Sequence, residues 1–282
     1  MNILVTGGSG RIGRYVVREL VDAGHAVTNA DLAATPGLPG GFLRVDLTDA
    51  GDVYQALAYT KSEAVVHLGA WANAGVVPDT HTYGDNVRGA YNVFQACADL
   101  GIQRIVYASS AQVYGFAQAA PLYAPVDEDH PLRPCNSYAL AKVVAEQTAD
   151  YFIKQYGLNI LSFRFMGVRM PGEIATEIEA MAANPASGAW LLWTRTDARD
   201  AAIACRLAVE AREVPSGPYN ITGARVVLEQ ASPDLVTTHF GTQTTLRHLE
   251  GNASPLSIAR AQAALGYHPR YVWSQHEHHP EA

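Results

Sequence analysis

The chain of 282 residues is 48% hydrophobic and 17% charged, a balance typical of a folded globular protein and unlike that of a disordered one. Its formal net charge is −7 and it has no basic run, which argues against nucleic acid as a partner. No apolar stretch reaches about 18 residues and no charged leader precedes the first apolar run, so we expect neither a membrane-spanning nor a secreted protein.

The cysteines and the C-terminal histidines form no recognisable disulfide or metal pattern. Cys97, Cys135 and Cys205 are widely scattered and belong to no CxxC pair, so we expect reduced thiols in a cytoplasmic protein. Three histidines lie within residues 276–279, but the other ligands that a metal site needs are missing. This segment therefore predicts a frayed chain end and no metal site.

The beginning of the chain, MNILVTGGSGRIG, predicts a strand that runs through a glycine loop into a helix. Asn2–Thr6 is apolar and rich in β-formers, and Arg11–Ala23 has helical periodicity. Between them, Gly7, Gly10 and Gly13 allow a tight turn, close approach of a phosphate, and close packing of helix on strand. The positive end of the helix dipole also favours an anion there. We therefore predict a pyrophosphate site, although the triplet alone is also compatible with a glycine-rich turn that binds nothing.

The second predicted strand, His25–Ala30, ends at Asp31, which follows Gly10 by 21 residues. A carboxylate at this distance from a glycine loop can accept hydrogen bonds from the ribose diol of an adenosine and repels a 2′-phosphate. The spacing predicts NAD and not NADP as the cofactor. Without the glycine loop, a turn aspartate would be an equally good interpretation.

Strands and helices continue to alternate up to residue 165. The further predicted elements are the strand Phe42–Val45, the helix Asp49–Tyr59, the strand Ala64–Leu68, the helix Asn86–Leu100, the strand Arg104–Ala108, the helix Ser137–Tyr156 and the strand Asn159–Phe165. This alternation predicts an α/β fold with a Rossmann-type, doubly wound parallel sheet that helices cover on both faces. Ligands of such sheets bind at the carboxyl ends of the strands, where Gly7, Asp31, Gly69 and Ser110 fall.

After residue 165 the pattern weakens. Thr196–Ala211 and Ser257–Leu265 are predicted helices, Pro218–Thr222 is a predicted short strand, and the residues between them are loop-rich. We therefore expect an NAD-binding domain at 1–165. Residues 166–282 are expected to form a small substrate-binding region on the same core.

Tyr138 and Lys142 lie four residues apart and would share one face of their predicted helix. The ammonium should favour the phenolate, so we expect the pKa of Tyr138 to fall toward the working range of a base. Such a base can take a hydroxyl proton while a hydride leaves the same carbon. Ser110, at the end of a predicted strand, could bind the same oxygen. A tyrosine and a lysine at this spacing are common on protein surfaces, so the prediction depends on the nucleotide-binding sheet around them.

These segments together resemble the extended short-chain dehydrogenase/reductases, the NAD-dependent epimerase/dehydratase group. The matching stretches are TGGSGRIG (6–13), NADL (29–32), DLTD (46–49), HLGA (67–70), NVRGAYN (86–92), SSAQVYG (109–115), NSYALAK (136–142), PYNITG (218–223) and ARAQAALGYHP (259–269). The resemblance therefore extends over nearly the whole chain.

The resemblance implies roles for individual residues. Ser110, Tyr138 and Lys142 would be the catalytic trio, and Lys142 would also hold the nicotinamide ribose. The cofactor-binding residues would be Gly7, Gly10, Arg11, Ile12, Gly13, Asp31, Asp46 (against adenine), Leu47, Leu68, Gly69, Ala70, Asn86, Tyr138 and Lys142. In relatives, the helices that match Asn86–Leu100 and Ser137–Tyr156 form a four-helix interface, so a homodimer is expected.

The substrate is less well defined. Arg164 is followed by Phe-Met-Gly, whereas sugar-nucleotide epimerases commonly have an R-x-x-N stretch whose asparagine helps bind the diphosphate. Only 36 residues separate Arg164 from Asp200, a compactness that resembles the short uronate dehydrogenase-type members, which act on free sugars or sugar acids. SSAQVYG is nevertheless closer to the epimerases. Arg133, Arg169 and Arg195 could each bind a substrate carboxylate, although each alone is more typical of a solvated surface charge.

Three hypotheses follow. The leading one is an NAD-dependent oxidoreductase that moves a hydride between NAD and a secondary alcohol of a sugar or sugar acid. The alternative is a sugar-nucleotide 4-epimerase of the UDP-glucose type, which keeps its NAD tightly bound. The third is an NAD-binding redox sensor without turnover, which the presence of Ser110, Tyr138 and Lys142 disfavours.

Overall fold

The computed structural model describes residues 1–276. Its strands are β1 (Asn2–Thr6), β2 (Ala26–Asp31), β3 (Gly41–Arg44), β4 (Ala64–His67), β5 (Arg104–Ser110), β6 (Tyr123–Ala124), β7 (Asn159–Phe165), β8 (Val168–Arg169), β9 (Thr196–Asp197), β10 (Gly217–Ile221) and β11 (Thr245–Leu246). Its α-helices are α1 (Gly13–Asp22), α2 (Ala50–Thr60), α3 (Asp79–Leu100), α4 (Ser137–Tyr156), α5 (Pro171–Ala183), α6 (Ala198–Glu210), α7 (Ser232–Phe240) and α8 (Ala259–Leu265). Among these helices, none is both long enough and apolar enough to cross a membrane.

Seven strands form the main sheet in the order β10-β7-β5-β4-β1-β2-β3. The pairs β1–β2, β1–β4, β2–β3 and β4–β5 are parallel, which confirms the predicted Rossmann-type α/β fold. The strand order reverses between β1 and β4, where Thr6 is in register with His67. Ligands of doubly wound sheets bind at such a switch point, and the glycine loop follows β1 there.

A buried apolar layer joins this sheet to its helices. Leu4, Val65 and Ile105 from the strands share one cluster with Phe94 of α3 and Phe152 of α4. The two phenylalanine rings lie 5.9 Å apart in an edge-to-face arrangement, the geometry that aromatic pairs prefer. This packing fixes α3 and α4 against the strands whose ends carry the candidate site.

The chain divides into two compact units, neither of which is continuous in sequence. Unit 1 comprises Met1–Ser110, Asn136–Phe163 and Ala202–Pro218, and unit 2 comprises Ala111–Cys135, Arg164–Ala201 and the chain from Tyr219 onward. The assignment of cofactor binding to 1–165 and substrate binding to 166–282 stays a prediction.

Two helices after residue 165, α5 and α7, are not predicted from the sequence, whose pattern is weak there. In α5, Ile174, Ile178 and Met181 are buried at the spacing of one helix face. The helix has proline in its first turn, and the Glu173 side chain accepts a hydrogen bond of 3.1 Å from the backbone N–H of Met170. The α7 helix has only nine residues and includes β-branched ones, which lower helix propensity.

The α3 helix begins at Asp79, earlier than the predicted start at Asn86. Its first two turns contain Gly84 and Thr82, residue types of low helix propensity. Thr82 and Asn86 are both buried one turn apart, so burial favours a helix that local propensity does not indicate.

Candidate active site

The glycine loop after β1 is held by backbone contacts that leave no room for side chains. The N–H of Gly7 donates to the carbonyl oxygen of Ala30 at 2.9 Å, which ties the loop to β2. Gly7 has a φ of +68°, and a Cβ there would lie 2.6 Å from the backbone nitrogen of Gly69. A Cβ on Gly13 would lie 2.0 Å from the carbonyl oxygen of Gly7. The fold therefore requires glycine at both positions.

Asp31, at the end of β2, is hydrogen-bonded to this loop. Its carboxylate accepts the backbone N–H of Ser9 at 3.0 Å and that of Leu32 at 2.7 Å. Ser9 also connects the loop to its surroundings, because its hydroxyl donates to the carbonyl of Ala33 at 2.6 Å and accepts from the Asn29 amide at 2.8 Å. The sequence prediction missed Ser9. The sequence does give a signal for Ser9, because it is a polar residue between Gly8 and Gly10 of the loop.

The N-terminus of α1 fits the pyrophosphate of NAD. No side chain among the described residues caps this helix, and its first turn contains no acidic residue. The N–H groups of Arg14, Tyr15 and Val16 donate to backbone carbonyls of Gly10 and Ile12, so it is the positive end of the helix dipole that favours an anion here, as a dinucleotide site requires. Of the flanking residues that were expected to bind NAD, Arg11 is exposed and Ile12 is half-buried.

Asp46 and Leu47 follow β3 and so lie, like the glycine loop, at the carboxyl end of a parallel strand. Thr48 donates to the Asp46 carboxylate through its backbone N–H at 2.9 Å and its hydroxyl at 2.8 Å, and these bonds lower the pKa of Asp46. A Cβ on Gly69 would lie 2.4 Å from Cδ1 of Leu47, so Gly69 and Leu47 are close neighbours. Residues from β1, β3 and β4 therefore meet where an adenosine would lie in the predicted site.

The segment after β4 is fixed by Asn86 of α3. The Asn86 side chain accepts the backbone N–H of Trp71 at 2.8 Å and donates to the carbonyl of Trp71 at 3.0 Å. The Trp71 indole N–H donates to Asp85 at 3.0 Å. Leu68 and Gly69 are half-buried and Ala70 is exposed in this segment. In this structure, Asn86 positions the backbone beside those residues.

Ser110, Tyr138 and Lys142 come together as expected. Ser110 ends β5, and its side chain is hydrogen-bonded to the hydroxyl of Tyr138. Asn136 caps α4 by accepting the N–H of Ala139 at 2.8 Å, so the helix begins immediately before the tyrosine. The ammonium of Lys142 lies 5.6 Å from the centre of the Tyr138 ring. All three side chains of the trio are buried.

Burial changes the acid–base properties of this pair. It raises the pKa of Tyr138 to about 12, although the hydrogen bond from Ser110 acts in the opposite direction. The predicted lowering of the Tyr138 pKa is therefore wrong in this structure, because desolvation disfavours the phenolate more than the hydrogen bond from Ser110 favours it. Burial also lowers the pKa of Lys142 to about 7, and Glu146 counteracts this shift. Sequence spacing alone could not indicate how much water each group loses.

Unit 2 contains all three arginines proposed as substrate ligands, and two of them bind the same carboxylate. Glu177 accepts hydrogen bonds from Arg169 at 2.5 Å and from Arg195 at 2.6 Å. Arg195 is buried, so its interpretation as a solvated surface charge is wrong, whereas Arg133 is exposed. Two guanidinium groups on one carboxylate leave a net positive charge in this cluster.

Arg164 is held by hydrogen bonds to other residues of unit 2. Its guanidinium donates to the hydroxyl of Tyr114 at 3.0 Å and to the carbonyl of Glu128 at 2.9 Å. Tyr114 in turn donates to Asn220 at 2.7 Å. This buried network connects segments that are distant in sequence.

No cluster of residues suited to a metal ion occurs between residues 1 and 276. Of the three C-terminal histidines, only His276 lies within this range. The prediction of a frayed chain end without a metal site also concerns His278 and His279, which lie outside the described residues.

Two features define the class of this protein. One is a doubly wound sheet with a glycine loop at its switch point, and the other is the helix α4, whose tyrosine and lysine lie beside the end of β5. This class is the NAD-dependent short-chain dehydrogenase/reductases. Within it the chain belongs to the NAD-dependent epimerase/dehydratase family, whose model matches residues 3–222.

Similar proteins include several epimerases. The chain is 32% identical over 178 residues to a UDP-glucose 4-epimerase from Lactobacillus helveticus, a match that covers 60% of this chain and 52% of that protein. It is 33% identical over 181 residues to the UDP-glucose 4-epimerase of Azospirillum brasilense, with 59% of this chain and 49% of that protein covered. The chain thus spans about half the length of the curated relatives it matches.

Solved structures match over almost the full chain. A short-chain dehydrogenase/reductase superfamily protein from Agrobacterium tumefaciens with bound NAD has a TM-score of 0.74 at 24% identity, covering 96% of this chain and 93% of that one. UDP-glucose 4-epimerase from Thermotoga maritima, with UDP-glucose, has a TM-score of 0.74 at 22% identity, covering 96% and 94%. At these identities the likeness shows the fold.

Proposed function

We propose that the protein is an NAD-dependent oxidoreductase that moves a hydride between NAD and a secondary alcohol of a sugar or sugar acid. The observation that carries this proposal is the buried contact between Ser110 and Tyr138 at the carboxyl end of β5, with Lys142 beside the tyrosine ring. Family membership supports the use of NAD.

In the proposed mechanism Tyr138 removes the proton of the substrate hydroxyl. Ser110 donates a hydrogen bond to the same substrate oxygen and so holds it in line with the tyrosine. Lys142 supplies positive charge, which the phenolate requires because burial raises the pKa of Tyr138 to about 12. NAD, when bound, provides the hydride acceptor and adds the positive charge of its nicotinamide.

We propose that the cofactor is held by the glycine loop and the strand ends around it. Gly7, Gly10 and Gly13 let the chain turn tightly between β1 and α1, where the pyrophosphate would bind, and Asp31, hydrogen-bonded to the N–H of Ser9, would accept hydrogen bonds from the adenosine ribose. Lys142 is proposed to contact the nicotinamide ribose. The remaining proposed contacts are Arg11, Ile12, Asp46, Leu47, Leu68, Gly69, Ala70, Asn86 and Tyr138.

A UDP-glucose-type 4-epimerase is the second candidate, and the names of the similar curated proteins support it. In that reaction the same oxidation is followed by return of the hydride, so no reduced cofactor is released. The positive cluster of Arg169, Glu177 and Arg195 in unit 2 supports an anionic substrate group, which a sugar acid and a sugar nucleotide both carry.

The two candidates can be separated in one assay. Purified protein is incubated with NAD and a panel of free sugars, uronates and UDP-sugars, while NADH absorbance and sugar products are followed together. Stoichiometric NADH from a free sugar or sugar acid supports the dehydrogenase. Conversion of a UDP-sugar to its 4-epimer without net NADH supports the epimerase. If NAD binds and no substrate on the panel turns over, the oxidoreductase proposal is rejected in favour of a sensor.

The variant Tyr138→Phe tests the proposed base. It should lower turnover by about 10²-fold or more, the usual contribution of a general base. The affinity for NAD should change little, because phenylalanine keeps the ring and all the other proposed NAD contacts remain. Tyr59→Phe is the matched control, because Tyr59 is 76% exposed on α2. Full activity of Tyr138→Phe would show that another group takes the proton.

We also propose a homodimer formed through α3 and α4. Tyr91 on α3 and Tyr151 on α4 are 46% and 48% exposed, and both rings pack edge-to-face on Phe152. Exposed aromatic residues grouped on neighbouring helices are typical of an interface. Light scattering during gel filtration should give twice the monomer mass, and Tyr151→Glu should shift it to the monomer. A monomeric wild-type protein at micromolar concentration would reject the proposal.

A cytoplasmic location is proposed from the thiols. Cys97, Cys135 and Cys205 are free, and burial raises the pKa of Cys97 and Cys205. Such thiols are poor nucleophiles and persist in a reducing compartment. Fractionation of the source cells would test the location directly.

A further inference from the structure

Glu146 is a buried acid on the catalytic face of α4. It follows Lys142 by four residues and Tyr138 by eight, so all three side chains lie along one face of the helix. Only 9% of Glu146 is exposed, and its carboxylate accepts a hydrogen bond of 2.5 Å from the hydroxyl of Ser109. Ser109 precedes Ser110 in β5 and is itself buried. Neither residue has a role in the mechanism described above.

The environment of Lys142 contains several groups that carry no charge at neutral pH. Its ammonium donates to the carbonyl of Ala108 at 2.6 Å and lies 4.9 Å from the centre of the Tyr107 ring. Burial raises the pKa of Tyr107 well above its usual range and lowers the pKa of His67, which packs on Tyr107 from β4, to about 3. The buried thiol of Cys97 on α3, which belongs to the same apolar cluster as Tyr107, is also neutral, because burial raises its pKa.

A buried ammonium surrounded by neutral groups would readily lose its proton, since desolvation disfavours the charged form. Glu146 opposes this effect at Lys142. The same carboxylate also raises the pKa of Tyr107, as expected of a negative charge close to the pair. Ser109 fixes this carboxylate by a charge-assisted hydrogen bond, the stronger kind.

We propose that Glu146, held by Ser109, is a positioning residue whose negative charge keeps Lys142 protonated beside Tyr138. The pair acts through Lys142 and touches neither substrate nor cofactor. Its role rests on the proposed function of Tyr138 and Lys142, but the charge of Lys142 can be measured without any turnover.

The composition of the chain makes this measurement direct, because its only lysines are Lys61, Lys142 and Lys154. Full-length protein labelled with ¹³C-lysine should give three resolvable side-chain signals, and Lys142→Arg identifies the signal of Lys142. The chemical shift is followed against pH, with and without NAD. In Glu146→Gln, which keeps an oxygen for Ser109 and removes the charge, the pKa of Lys142 should fall by about one unit or more below that of wild type.

Ser109→Ala is the matched control, since it removes the hydrogen bond that Glu146→Gln retains and keeps the charge that Glu146→Gln removes. Its effect on the Lys142 pKa should be less than half that of Glu146→Gln. An unchanged Lys142 pKa in Glu146→Gln would overturn the proposal, and so would an equal shift in Ser109→Ala, which would assign the effect to packing. If Glu146→Gln does not fold, the double variant Ser109→Ala/Glu146→Met removes both partners without leaving an unpaired group, and the same fall in pKa is expected.

The measurement also separates this proposal from the proposed function. A fall in the Lys142 pKa in a protein that oxidises no sugar would support the role of Glu146 and reject the activity. Turnover by the wild type, combined with no pKa change in Glu146→Gln, would do the reverse.

Discussion

The close approach of Gly13 to Gly7 gives a sharp prediction for Gly13→Ala. The added Cβ would lie 2.0 Å from the carbonyl oxygen of Gly7 and 2.6 Å from Cα of Gly8, whereas real Cβ atoms essentially never come closer than 3.0 Å to such neighbours. Both neighbours are backbone atoms, so no side chain can rotate away. The first turn of α1 must therefore move by about 1 Å relative to the loop, a degree of overpacking that typically costs about 1–3 kcal/mol.

The same displacement should weaken NAD binding, because it shifts the glycine loop against the positive end of the α1 dipole, where we propose that the pyrophosphate binds. We expect a loss of about tenfold or more in affinity, equivalent to about 1.4 kcal/mol. Gly84→Ala is the control, and its expected effect on stability is the opposite. Gly84 lies inside α3 and a Cβ there meets nothing within 4 Å, so alanine should stabilise the helix by about 0.5–1 kcal/mol.

The assay compares urea unfolding midpoints of the wild type and both variants at equal slope, and measures NAD binding by calorimetry. If Gly13→Ala is as stable as Gly84→Ala, the contact between loop and helix does not constrain the fold. If it loses stability but binds NAD with wild-type affinity, the start of α1 is not the pyrophosphate site.

Three further variants test other parts of the molecule. Asp31→Asn should lower the preference for NAD over NADP by about tenfold, because the charge that repels a 2′-phosphate is gone. The preference is measured as a ratio of dissociation constants, and an unchanged ratio would show that the adenosine ribose binds elsewhere. Burial raises the pKa of Asp200 to about 6 from its ordinary 3.8, so its stabilising contribution is complete below about pH 4 and is lost as the pH rises through 6. Asp200→Asn should remove this part of the pH dependence of Tm, and parallel curves for variant and wild type would contradict the assignment. Phe94→Ala should cost about 3–5 kcal/mol in urea unfolding, because Phe94 is fully buried against Tyr107 and Phe152; a loss below about 1 kcal/mol would mean that the core collapses around the gap.

The sequence predicts the main sheet and the proximity of Ser110, Tyr138 and Lys142 well, because both depend on local patterns. Apolar runs identify the buried strands, and the four-residue spacing of Tyr138 and Lys142 places them on one helix face whatever surrounds them. Ser110 then follows from the end of its strand. Helices with weak local signals, such as α7, depend on burial against distant residues, which a single sequence does not display.

Ionisation was the least predictable property of the site. A lysine beside a tyrosine suggests a lowered tyrosine pKa, but burial of Tyr138 raises it instead. The extent of burial is set by the packing of α3 and α4 on the sheet, and only the folded chain reveals it. For the same reason, the sequence does not predict the hydrogen bond between Ser109 and Glu146, which are 37 residues apart.

The interleaving of the two units has a consequence for how the chain can fold during synthesis. Unit 1 needs Ala202–Pro218, and unit 2 needs the chain from Tyr219 onward, including β11, which pairs with β6. Neither unit is therefore complete when residue 165 has been made. A ribosome-bound chain stopped at that point would leave apolar surface uncovered, and we expect it to be cut by protease or captured by chaperones until the later segments emerge.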